Sequence, residues 1–317
     1  MDSQEKKPAG KKRAKKIAYY ALLGFFCLVF ICSAIYVGTY FLRSAEVKSE
    51  YKELQDVHDS FTRPYVPLPG DPDYVPLEPT LPTEPADPNN PITNPNNPTA
   101  PTTPNVQAIL PELQLAYSQN KDLVGWIQVP GTKVNYPVVQ PSIANLGPYR
   151  KHNNECYFYN EWALPDYYLK HTFYGECSEW GAIYVQEGCN VFTPSDNITI
   201  YGHHMMDGSM FSGLDGYKKQ SFWETHQFIY FDTLYERHVY QVIAAFKTSG
   251  NYGEGFAYHT YDDMNEEQFN RFISTVMSLA YYDTGLTAQY GDRLITLSTC
   301  EYTQDNGRHV VIAKRVA

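Results

Sequence analysis

No two cysteines in this 317-residue chain are spaced Cys-x-x-Cys, which argues against a zinc site. Cysteine is also scarce: Cys27, Cys32, Cys156, Cys177, Cys189 and Cys300 make up the set. That is too few for a disulfide-built secreted scaffold, although Cys156 has Cys177 and Cys189 as candidate partners. Basic residues are concentrated at the start. Residues 1–16 hold seven Lys/Arg against Asp2 and Glu5, so the remainder of a chain of net charge −10 is strongly acidic. An acidic surface repels phosphates and disfavours nucleic acid as a partner. No internal repeat is present. Charge is missing altogether from Ile17 to Leu42, a run of 26 residues. At about 1.5 Å per residue such a helix crosses a hydrocarbon core of roughly 30 Å with some tilt.

The basic cluster ahead of that run places the amino terminus inside and everything after Arg43 outside. A cleaved secretory signal, or a lipoprotein signal ending at Cys32, is the competing reading. The run is longer than an ordinary signal core, and bulky Ile31 precedes Cys32 where a small residue is expected. The expectation is an uncleaved anchor at 17–42 behind a cytoplasmic tail at 1–16. A charged segment at 43–60 then continues the helix outward. From Phe61 to Asn105 fourteen of 45 residues are proline, which denies both helix and sheet ladders. This segment, 61–105, is expected to be an extended spacer with a reach on the order of 100 Å. It serves either as a stalk through a surrounding wall or as a passive linker.

The remaining 106–317 has the pattern of a folded domain. Ile109, Leu113, Leu115, Ala116 and Tyr117 open it at helical spacing, with Pro111 acceptable in a first turn. Strands are predicted after Asn120 up to a Pro-Gly turn, then at Val134–Gln140, Gly181–Gln186, Asn197–Tyr201, His238–Lys247, Arg293–Ser298 and His309–Lys314. Phe269, Phe272, Ile273, Val276, Met277 and Ala280 predict a helix over Asn265–Tyr281. Many short strands and few helices indicate a mainly β fold, a small barrel or sandwich.

Two constellations carry chemistry. In Leu294-Ile-Thr-Leu-Ser-Thr-Cys300 an alternating strand runs into a thiol, and eight residues later Arg308 opens a second strand. A thiol beside a fixed cation is a candidate nucleophile, because the thiolate attacks carbonyls and a nearby positive charge favours it. In Asn197-Ile-Thr-Ile-Tyr-Gly-His203-His204 a strand ends in Gly-His-His. A histidine at a strand exit is suited to general acid/base work, its unperturbed pKa of about 6.5 lying near neutrality. Adjacent histidines point to opposite faces of a strand and so do not form a metal pair.

Taken together, an upstream His, a Cys ending a Thr-Leu-Ser-Thr strand and an Arg opening the next strand resemble a sortase, most closely one of class B. The matching text includes Val124-Gly-Trp-Ile-Gln-Val-Pro-Gly-Thr-Lys-Val-Asn-Tyr-Pro-Val-Val-Gln140 and Tyr167-Tyr-Leu-Lys-His-Thr-Phe-Tyr-Gly-Glu176. It continues in Ile200-Tyr-Gly-His-His-Met-Met-Asp-Gly-Ser-Met-Phe211 and Gly291-Asp-Arg-Leu-Ile-Thr-Leu-Ser-Thr-Cys-Glu301. The long helix ahead of the last strands is a further class B trait. The resemblance implies a closed eight-stranded β-barrel in a membrane-anchored cysteine transpeptidase of a Gram-positive cell. Such an enzyme cleaves surface proteins after the threonine of a sorting signal and passes the acyl group to a cell-wall precursor amine or a pilin lysine. It implies no cofactor and no metal. By motif, Cys300 is the nucleophile, His203 the acid/base and Arg308 the oxyanion or orienting cation. Tyr201, Ser298, Glu301 and Leu169 fall at positions lining the signal groove, and His204 receives no role.

Departures from the family are an insertion over Pro141–Asp166, a longer proline segment, and Gln186 where the family carries Asp. The insertion either borders the groove or decorates the surface. Among rivals, papain-type hydrolases need Cys before His and a Cys-Gly-Ser-Cys-Trp context, and caspases need Gln-Ala-Cys; neither is present. A catalytically inactive or purely hydrolytic surface module is the alternative reading.

Overall fold

Alternating apolar and polar positions, interrupted by Pro-Gly, Asn-Gly and aspartate-rich turns, divide the carboxy-terminal two thirds of the chain into short strands. The computed structural model describes residues 9–79, 107–141, 164–251 and 253–317. They fall into two units, Met1–Lys52 and Glu53–Ala317.

The first unit is helical. Helix α1, Ala9–Asp59, has no interior proline and is unbroken through the charge-free run and the charged segment after it. Ile17, Phe30 and Leu42 point outward, 66, 74 and 73 % exposed, so the apolar surface is uncovered by protein around this stretch. From Lys15 onward the helix is long and apolar enough to cross a membrane. Its last two turns, Glu53–Asp59, belong to the second unit.

Eight strands build that unit: β1 Leu123–Gln128, β2 Asn135–Val139, β3 Ile183–Val185, β4 Asn197–Tyr201, β5 Phe228–Thr233, β6 Val239–Ser249, β7 Leu294–Glu301 and β8 Gly307–Arg315. They close into a barrel in the order β1-β2-β3-β4-β7-β8-β6-β5, which leaves no sheet edge to template aggregation. The pairs β2–β3 and β4–β7 are parallel; the others are antiparallel. Each predicted strand overlaps an observed one. β5 was not predicted: it carries aromatics on both parities, Phe228 and Tyr230 against Ile229 and Phe231, which hides the two-residue period.

Helices α2, Gln114–Gln119, and α3, Gln220–Trp223, are short. The predicted late helix is α4, Glu266–Leu279. Asn265 caps it, accepting from the Gln268 N–H while the Gln268 side chain accepts from the Asn265 N–H, satisfying two otherwise orphaned donors. It ends at Leu279, where Ala280 turns to extended backbone. Buried Phe269, Phe272, Ile273 and Val276 pack with Ile243, Phe246, Val310 and Ile312. Burying each such side chain is worth about 1.5–3 kcal/mol, so α4 is a cover bolted to the outside of β6 and β8.

The last residues of α1 and the first part of the proline-rich segment lie on the barrel. The His58 ring stacks on Trp126 at 4.3 Å and 7°, and Gln55 donates to the Asn135 carbonyl at 2.7 Å. Arg63 pairs with buried Asp232, donates to the His238 carbonyl at 2.9 Å and covers the Tyr230 ring. At the far end, a Cβ on Gly291 would stand 2.8 Å from the Pro79 Cβ. The spacer expected over 61–105 is therefore surface-bound as far as Pro79, and the rest of it lies outside the described residues.

His309 on β8 is fully buried. Its Nε2 contacts the Leu214 carbonyl at 2.9 Å; a carbonyl can only accept, so Nε2 carries the proton. Burial lowers its pKa to about 4. A lowered pKa means the unfolded chain binds the proton first. This contribution is present in full above the ordinary value of about 6.5 and is lost as pH falls towards 4, about 3 kcal/mol in all. Urea unfolding between pH 7 and pH 4 should show that loss, and His309→Gln, which keeps a donor for Leu214, should flatten it. His203 and His238 are lowered in the same direction, so some slope persists; an unchanged slope in the variant would contradict the assignment.

Candidate active site

β7 and β8 are joined by Tyr302–Asn306, and their register sets Cys300 directly opposite Arg308. Directly opposed residues in an antiparallel pair project to the same face, so the eight-residue spacing in sequence becomes a side-by-side thiol and guanidinium. The tight return depends on Gly307, where a Cβ would lie 2.3 Å from the Glu301 carbonyl oxygen. Cys300 is a free, half-buried thiol. Arg308 donates to the carbonyls of Asn306 and Gly307 at 3.2 and 3.0 Å. Its guanidinium carbon lies 3.0 Å from where a Cβ on Gly250 would stand.

β4 brings the histidine alongside. It runs parallel to β7 with Tyr201 opposite Ser298, and the Gly202 N–H continues the ladder to the Ser298 carbonyl at 3.1 Å. His203 and Cys300 thus leave their strands in step, each two residues past a paired position and on the same face. Only glycine fits at 202, since a Cβ would meet Ile183 at 2.5 Å and the Phe211 ring at 2.7 Å. His203 Nε2 donates to the Leu169 carbonyl at 2.6 Å, which leaves Nδ1 as the free acceptor. Burial lowers the His203 pKa, Lys170 and Arg308 add to the effect, and the Leu169 bond opposes it. The imidazole is therefore neutral near pH 7 and able to take a proton.

The expected groove residues divide. Tyr201 and Ser298 share the Cys300 face. The Tyr201 hydroxyl donates to Gln186 Oε1 at 2.8 Å, and the Ser298 hydroxyl lies 2.6 Å from that of Tyr258. Leu169 stands beside His203, with its carbonyl as the contact. Glu301 has the opposite parity: it is buried, its Oε2 accepts from the Thr303 N–H and hydroxyl at 3.0 and 2.7 Å, and its Oε1 faces Lys218. Sequence reasoning passed over Tyr258, whose buried hydroxyl meets Ser298 and feels the charge of Arg308. It sits in a 3₁₀ turn, Tyr258–Thr260, after an irregular glycine-rich run with no periodicity to flag it. Gln186 does what an aspartate cannot, accepting from Tyr201 while donating to the His259 carbonyl and to Asp262.

Of the other cysteines, Cys189 is buried, its thiol 3.3 Å from an Asp262 oxygen, and burial pushes its pKa far up, so it is no nucleophile. Cys177 is held in a disulfide; Cys156 and most of the 141–166 insertion lie outside the described residues. Among the described residues no three His, Cys, Asp or Glu side chains come together to hold a metal.

Three comparisons bear on this geometry. The profile of the sortase domain family matches residues 127–316. The chain is 32 % identical over 208 residues to sortase B of Staphylococcus aureus, covering 65 % of this chain and 75 % of that protein. It is 29 % identical over 208 residues to sortase B of Listeria monocytogenes, covering 65 % and 74 %. A solved Staphylococcus aureus sortase B–substrate complex superposes with a TM-score of 0.53 at 32 % identity, covering 66 % of this chain and 87 % of that one.

Proposed function

The chain belongs to the sortase family, among its class B members, and from that premise we propose that it is a membrane-anchored transpeptidase acting through Cys300. The observation that carries the reading is the register that sets Cys300 opposite Arg308 while β4 delivers His203 in step with them. His203 takes the thiol proton on Nδ1 as sulfur bonds to the carbonyl carbon of the signal's threonine. Arg308 faces the developing oxyanion. Collapse of the adduct breaks the C–N bond, and His203 passes its proton to the leaving amine. An incoming amine then attacks the thioester, gives up a proton to His203 and releases the thiolate.

The donors of the acyl group are surface proteins bearing a sorting signal. The acceptor is a peptidoglycan precursor amine or a pilin lysine. The charge-free run of α1 spans the cell membrane with the basic tail inside and the domain at 106–317 outside.

The test is cleavage of a peptide library with fixed proline and threonine, in hydroxylamine as a surrogate acceptor. A preference for Asn/Ser-Pro-x-Thr and capture of the acyl group as its hydroxamate are expected. Equal cleavage of unrelated peptides, or release of the free acid alone, would sink the transpeptidase reading.

A further inference from the structure

His204 and Glu301 share an unusual relation: each directly follows a reacting residue, and each points to the side away from the chemistry. Both reach the same 3₁₀ segment, Phe211–Lys218. His204 Nε2 meets Asp215 Oδ2 at 3.0 Å, Asp215 Oδ1 meets Lys218 Nζ at 2.9 Å, and Lys218 Nζ reaches Glu301 Oε1 at 3.6 Å. Given the assignment of His203 and Cys300 as the catalytic pair, we propose that this chain of polar contacts is a brace that sets the spacing between the two strand exits. His204, Asp215, Lys218 and Glu301 are then positioning residues.

Four observations support it. The Glu301 side chain is 3 % exposed, so Lys218 answers a charge with little access to water. Burial alone raises the Asp215 carboxyl, yet Lys218 and His204 outweigh it and hold its pKa below the usual value, so the central charge is engaged from both sides. A second strut runs parallel: the Tyr302 hydroxyl donates to the His204 carbonyl at 2.9 Å, its ring edge-on to the His204 ring. The mounting is firm, because Phe211, Leu214 and Tyr217 are fully buried and the Leu214 carbonyl accepts from His309. Exposed ion pairs usually add little to stability. A brace acts instead on geometry, where misplacement on the order of 1 Å costs about 10²-fold in rate.

The experiment uses the full chain in detergent, with Lys218→Met, Lys218→Arg, the double variant Lys218→Met/Glu301→Gln, and Arg271→Met as control. Arg271 pairs only with exposed Glu267 on α4 among the described ion pairs. One readout is the rate of Cys300 alkylation by iodoacetamide, separated by peptide mapping from Cys27, Cys32 and Cys189. The other is kcat and KM on a sorting peptide. Lys218→Met should change the alkylation rate by about 3-fold or more and lower kcat about 10-fold with KM nearly unchanged. Lys218→Arg should restore both. The double variant should be no worse than Lys218→Met, since removing the buried carboxylate along with its cation leaves no orphan charge. Should Lys218→Met fail to fold, Asp215→Asn is read in its place. Variants indistinguishable from Arg271→Met in both readouts overturn the brace. Peptide inactivity of the wild type counts against the transpeptidase reading instead, and the alkylation comparison still decides the brace.

Discussion

Cys300→Ala is expected to remove hydroxylamine-dependent cleavage, a fall of about 10⁴-fold or more, as when other covalent nucleophiles are deleted. In the proposed mechanism the sulfur carries the acyl group, and among the described residues no second thiol in the domain can stand in for it. Cys189 is buried with its proton held between Asp262 and the Asn197 carbonyl, and Cys27 and Cys32 lie in the apolar run of α1. Stability should barely change, because a half-buried sulfur at a strand end contributes little packing. Circular dichroism should therefore give a Tm within about 2 °C of wild type while chromatography finds no hydroxamate. A variant that cleaves as the wild type does would leave Cys300 without a role.

Arg308→Ala is expected to lower kcat by about 10²–10³-fold, the usual cost of one oxyanion donor. Arg308→Lys should not restore it. Arg308 Nη1 alone is taken up by the carbonyls of Asn306 and Gly307, and the residue stays on the Cys300 face; an ammonium held by those carbonyls is a single point charge with no second nitrogen to offer an oxyanion. A second consequence separates this residue from a merely structural one. Arg308 is among the cations that depress the His203 pKa. Its removal favours the imidazolium, raises that pKa, and should move the acid limb of kcat/KM to higher pH. Burial and Lys170 keep the shift modest. Lysine activity within about 3-fold of arginine, with the acid limb unmoved in Arg308→Ala, would show that Arg308 neither needs its second nitrogen nor acts on His203.

Much of this site was legible because it depends on local patterns. The step from Cys300 to Arg308 is a hairpin count, and a five-residue loop turns it into a facing pair. The end of β4 at Gly202 is readable as a turn, though the crowding by Ile183 and Phe211 that demands glycine is not. Helix α4 declared itself through a clean apolar stripe; its cap at Asn265 and Gln268 was seen only in the structure. What escaped the reading depends on long-range packing. Glu301 matches a groove position by motif, yet strand parity and the lysine on the 3₁₀ segment draw it to the other face. Tyr258 reaches Ser298 across 40 positions from a loop without a period. β5 was masked by aromatics on both of its faces. Proline content suggested an extended spacer over Phe61–Asn105, but proline only forbids ladders; it does not forbid Arg63 from finding Asp232.

That last contact alters the mechanics of the tether. With Pro79 against Gly291 and the chain back at Leu110, whose N–H donates to the Leu234 carbonyl at 2.8 Å, the proline-richest stretch begins and ends on the same barrel. A pull on the chain at the end of α1 is met first by the His58–Trp126 stack and the Arg63–Asp232 clasp, before it reaches any of the prolines beyond them.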